Sequence, residues 1–96
     1  MYRDDPLDDE LELRAIVGDE AIDQMLAETG ANATACMEAA LDVLRILQGW
    51  TDDDGVKAWF LRPQRRLGGR TPLSALAAGD VEDVDDAAAL WVAARA

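Results

Sequence analysis

The segment TACMEAALDVLRILQ, residues 34–48, limits what this chain can fold into more than any other. On a helix its polar side chains fall along one narrow line: Thr34, Glu38, Asp42 and Arg45. Cys36, Met37, Ala40, Leu41, Val43, Leu44, Ile46 and Leu47 cover the rest of the circumference. A helix apolar on most sides must be surrounded by other elements. The rest of the chain therefore has to supply a shell around it. No stretch shows the two-residue alternation of a half-buried strand. The expected fold is an all-α compact bundle built around this helix.

Glycine and proline divide the remainder into helices. Asp5 can cap a first helix with Pro6 at its first position, and Gly18 can end it. Asp19 is expected to cap a second helix that carries Ile22, Met25 and Leu26 on one face and closes at Gly30. Asn32 or Thr34 opens the long central helix, which runs to about Gly49. Thr51 with Asp54 has the spacing of a capping box, and Asp52 to Asp54 suit the positive end of a helix dipole. The helix that follows carries Val56, Trp59 and Phe60. It must stop near Arg62, because Pro63 disfavours helical geometry in the residue before it. Thr71 and Pro72 start a short helix that ends at Gly79. Asp80 is expected to cap the last helix, with Val81, Val84, Ala88 and Trp91 facing inward. About six helices result. They make one domain over 1–96, with a helix-turn-helix-like N-terminal part (1–49) and a distinct C-terminal part (50–96). A chain of 96 residues leaves no room for a second core.

Charge and composition remove several functional classes. Twenty acids against nine bases give a net charge of −11, the wrong field for a polyanion. A helix-turn-helix places its second helix in the major groove, yet no Lys or Arg occurs between Arg14 and Arg45. Asp19, Glu20, Asp23, Glu28, Glu38 and Asp42 occupy that interval instead. DNA binding through this part is not favoured. Histidine is absent and Cys36 is the single cysteine, so zinc sites and His-based catalysis as usually built are excluded, as is an internal disulfide. TDDDG lacks the spacing and distal Glu of a calcium loop. Neither an enzyme nor a metal or other cofactor is expected. The acidic N-terminus is unlike a signal peptide, and AAALWVAA (87–94) is too short to cross a bilayer. A soluble cytoplasmic protein without a membrane partner is the expectation.

RPQRRLGGRTPLSAL, residues 62–76, departs from the acidic helical pattern. Lys57, Arg62, Arg65, Arg66 and Arg70 place five of the nine bases between 57 and 70, and Gly68–Gly69 permits positive backbone dihedrals. The glycine spacing is not that of a Walker motif. Two readings are open for the arginines. They can cross-link acids on neighbouring helices, or present donor forks to a carboxylate or phosphate on a partner. Arg95 on the last helix and Trp50, at a helix end beside Gly49, are further interface candidates.

WFLRPQRRLGGRTPLSALAAGDVEDV, within residues 50–92, resembles the toxin-binding domain of Xre/MbcA/ParS-type antitoxins. The shared pattern is an aromatic-rich helix, a proline loop, Leu-Gly-Gly, a Thr-Pro start, a short Leu/Ala helix, a glycine and a helix with an acidic start. Trp59, Pro63, Leu67, Gly68, Gly69, Thr71, Pro72, Leu76, Gly79 and Val84 carry it. The resemblance implies an all-helical antitoxin that binds and sterically blocks a RES-domain toxin, an enzyme that consumes NAD. It also implies a homo-oligomer or a hetero-oligomer with toxin. On that reading Arg62, Arg65, Arg66, Arg70, Arg95 and Trp50 would meet the toxin. Two other readings remain: a transcriptional regulator acting on DNA through the basic 57–70 segment, and an oligomeric binding protein of the same fold without a toxin partner.

Overall fold

A computed structural model describes residues 6–95. Six α-helices follow one another: α1 (Pro6–Val17), α2 (Asp19–Thr29), α3 (Ala33–Gln48), α4 (Asp53–Leu61), α5 (Pro72–Ala77) and α6 (Val81–Ala93). Two single 3-10 turns, Gly30–Asn32 and Arg65–Leu67, complete the connections. No strand occurs among the described residues.

The nearly all-apolar helix lies where its composition requires. α3 touches each of the other five helices. Cys36, Ala39, Ala40, Val43, Leu44 and Leu47 are buried, while Glu38, Asp42 and Arg45 line the exposed strip. Ile46, expected on the covered side, is partly open to solvent because it lies at the edge of that strip.

The two halves of the chain do not separate. α1 packs on α4, α2 on α5 and α3 on α6, so each helix of the first half leans on its counterpart in the second. Leu13, Val17, Ile22 and Met25 from α1 and α2 join Val56, Trp59, Phe60, Leu76 and Val84 in one continuous core. The radius of gyration, 12.5 Å, equals the roughly 12.5 Å expected of a single compact unit of this length. Trp59 and Phe60 meet edge to face with ring centroids 5.5 Å apart, the arrangement favoured by the aromatic quadrupole.

Several helix ends follow the sequence closely. Pro6 opens α1; Asp5, expected as its cap, lies outside the described residues. Arg62 is extended, as the following proline demands, and ends α4. The Thr71 hydroxyl accepts from the Ser74 N–H at 3.1 Å with Pro72 at the first helical position. Asn32 is the residue before α3 but makes no side-chain cap.

Three expected caps are corrected. Asp19 is the first residue of α2, and Gly18 occupies the cap position without a side chain to offer. Asp52, not Thr51, caps α4: its carboxylate accepts from the Gly55 N–H at 2.9 Å. The Thr51–Asp54 capping box is therefore not formed, and Thr51 lies instead against Gly55, where an added Cβ would strike its side chain. Asp80 stands at the cap position of α6, but its carboxylate makes no cap bond and turns to Arg70.

Candidate functional site

The connector from α4 to α5 has the geometry of a closed hook. The Gln64 N–H donates to the Arg70 carbonyl at 2.9 Å, pinning its two ends together. Between them the Gln64 carbonyl accepts from the N–H groups of Leu67 and Gly69, at 3.0 and 2.9 Å. The Gln64 side chain donates to the Trp59 carbonyl at 3.3 Å, tying the hook to the end of α4. Leu67 is its buried anchor. Gly68, at φ 71° and ψ 24°, lets the chain reverse after the 3-10 turn, in a left-handed geometry that costs other residues about 1–2 kcal/mol.

Arg70 belongs to this framework. Its Nε donates to the Leu67 carbonyl at 2.9 Å, and its Nη1 bonds Asp80 at 2.7 Å. Of the interface arginines expected from the sequence, it alone is half-buried with its charge engaged internally. That matches the cross-linking reading, so Arg70 holds the hook against the start of α6.

Arg62, Arg65 and Arg66 stand on the outside of the hook and are exposed. Among the described residues ion pairs form only at Arg14, Arg45 and Arg70. Arg14 collects Asp23, Glu10 and Asp19, with Nη1–Oδ1 at 2.7 Å to Asp23, and these acids, Asp23 foremost, hold its guanidinium still more firmly protonated. Arg45 bonds Asp9 and ties α3 to α1. Arg14 and Arg45, the described bases of the N-terminal half, are thus paired within the fold, while those of the hook's outer face are left open.

Arg95 approaches the same region from the end of α6. Its guanidinium carbon lies 3.6 Å from the centre of the Trp91 ring, and Nη1 donates to the Trp91 carbonyl at 3.2 Å. Arg62, Arg95, Trp91, Trp59 and Thr51 line one open cleft of about 160 Å³. Trp91, expected to be core, is half-buried and forms its aromatic wall. Trp50, 48% exposed, immediately precedes Thr51 at this end of the molecule but does not line the cleft. The structure thus brings Arg62 and Arg95 to one place and leaves Arg65 and Arg66 farther along the hook.

Two other surface features are acidic and apolar in character. Asp85 on α6 has its carboxyl pushed above its ordinary value, first by partial loss of hydration, then by the charges of Asp42 on α3, Asp86 and Glu82. Between α1, α2 and α3 lies a shallow apolar groove formed by Leu26, Met37 and Leu41, with Glu10 and Glu38 at its margin. Among the described residues no helix is long and apolar enough to cross a membrane.

Among the described residues, fold and surface define a small all-α domain with a net acidic charge and a basic margin at the hook. Comparison with protein-family models, curated proteins and solved structures gives no match.

Proposed function

We propose that this chain is a binding domain of antitoxin type, which covers a RES-domain, NAD-consuming toxin with the outer face of the hook and the end of α6. The observation that carries the reading is the distribution of unpaired bases. Acids outnumber bases by more than two to one. Yet Arg62, Arg65, Arg66 and Arg95 have no carboxylate partner among the described residues. Guanidinium groups left open in such a chain are available to carboxylates on another molecule, where a planar fork makes paired, charge-assisted bonds.

Two further features support it. The hook is held by backbone bonds and by Arg70, so its outer arginines are presented on a preorganised frame, which lowers the ordering cost of association. The same stretch carries the Leu-Gly-Gly and Thr-Pro pattern that resembles the antitoxin family. The action is steric: a helical surface laid over the toxin's substrate entrance. Trp50 supplies an aromatic at the margin, and assembly as a homo-oligomer or with toxin belongs to the same reading. DNA binding through residues 57–70 is less favoured, since Arg70 is engaged with Asp80 and phosphate affinity scales with the number of free cations.

The experiment is charge reversal. Arg65→Glu with Arg66→Glu is expected to weaken toxin binding about tenfold or more, the loss typical of truncated charged contacts, with far-ultraviolet circular dichroism unchanged. Equal affinity for wild type and variant would remove this face from the interface.

A further inference from the structure

The cleft between α4 and the end of α6 combines two features that no role in the fold accounts for. Arg62 lines it with its guanidinium unpaired among the described residues. Arg95 is fixed by its stack on Trp91 and by one bond to a backbone carbonyl, leaving most of the five N–H donors of a guanidinium unused. Trp59 closes the floor of the cleft and is 3% exposed; its indole N–H is sealed from solvent, has no acceptor among the described residues, and is not presented to the cleft. Two open cations and the Trp91 ring border a space lined by no carboxylate, in a chain with twenty of them.

We infer that this cleft is a binding site for a carboxylate carried on a short aliphatic stem. The guanidinium pair supplies the charge-assisted donors. The Trp91 ring with Ala58 and Gly55 supplies an apolar wall for the stem. At about 160 Å³ the cleft is comparable with the roughly 150 Å³ cavity that admits a benzene molecule, a size suited to a glutamate side chain or a small free acid. The acidic body favours a single negative charge: a phosphate at pH 7 carries about −1.5 to −2 and is repelled more strongly by a chain of net charge −11. The inference concerns the free protein and holds whether or not the partner is a toxin.

The test is titration of the full chain, observed by NMR at the Trp59 and Trp91 indole N–H and the Arg95 Nε–H resonances. The probes are N-acetyl-glutamate methylamide, acetate and inorganic phosphate at constant ionic strength. Saturable shifts at millimolar carboxylate are expected, weakened about tenfold or more by Arg62→Gln, the loss typical of a bond to a charged group. Arg62 is exposed, so this variant leaves the fold intact. Stronger binding of the glutamate probe would assign the site to an acidic side chain of a protein, and stronger binding of acetate would assign it to a free acid; both support a carboxylate site. Shifts that do not saturate, that persist unchanged in Arg62→Gln with Arg95→Gln, or that phosphate produces at equal affinity would overturn it.

Discussion

Gly68 isolates the backbone strain on which the hook depends. Its φ of 71° and ψ of 24° lie in the left-handed region, and a Cβ added there would meet nothing within 4 Å. A substitution at this position therefore adds conformational strain without a clash. For an ordinary L-residue that strain is about 1–2 kcal/mol. In a domain of this size, 1 kcal/mol moves Tm by roughly 4–8 °C, so Gly68→Val should lower it by about 4–16 °C. Asn tolerates the left-handed region far better than a β-branched residue, so Gly68→Asn should lose less than half as much. Gly49 is the control: its φ is −75°, and Gly49→Ala should be neutral or gain about 0.4–1 kcal/mol through the unfolded state. Urea unfolding followed at 222 nm, with thermal melts, measures all three. Equal losses for Val and Asn at position 68, or no loss for either, would refute the strain argument.

Other perturbations separate the remaining parts of the account. Asp52→Ala removes the α4 cap and should cost about 0.5–2 kcal/mol, whereas Asp54→Ala should cost little, and denaturant midpoints would show the reverse if Asp54 were the capping partner. Phe60 is fully buried, so Phe60→Ala should cost about 3–5 kcal/mol, a large share of the roughly 5–15 kcal/mol that holds a domain together; a loss of unfolding free energy in urea of less than a third of the expected cost would contradict its place in the core. Asp85 has a raised pKa, so the folded state binds its proton more tightly than the unfolded state does. Its charge then lowers stability above the folded pKa, and that penalty is relieved as pH falls toward the ordinary carboxylate value. Asp85→Asn should accordingly stabilise the protein at pH 7 by a fraction of 1 kcal/mol, given how strongly solvent screens an exposed group, with the gain fading near pH 4 in a pH series of melts.

Local chemistry made much of this architecture legible. Pro63 stops α4, Thr71 and Pro72 start α5, and the apolar circumference of residues 34–48 places α3 at the centre. The cap of α4 was less legible because adjacent polar residues compete for one position. Thr51 and Asp52 each have an oxygen that can accept, and only the backbone geometry at Asp52 selects it. The hook's glycines signalled a reversal, but nothing in the sequence marked Gln64 as the residue around which it closes, since its partners at 59, 67, 69 and 70 are set by the loop's path. The division of the arginines was equally hidden. Arg70 and Arg62 are alike in composition, yet the packing of α5 and α6 brings Asp80 to one and leaves the other open. The cleft depends on the ends of α4 and α6 meeting across about thirty residues of chain, a proximity that no spacing rule encodes.

The central claim, that this domain neutralises an NAD-consuming toxin by covering it, is tested most directly by co-expression with the product of the neighbouring gene. Cellular NAD is assayed and the two proteins are purified together. The account predicts that the neighbour alone depletes NAD, that this chain co-purifies with it and restores NAD, and that Arg65→Glu with Arg66→Glu weakens both effects. A neighbour that leaves NAD intact and fails to bind would contradict it.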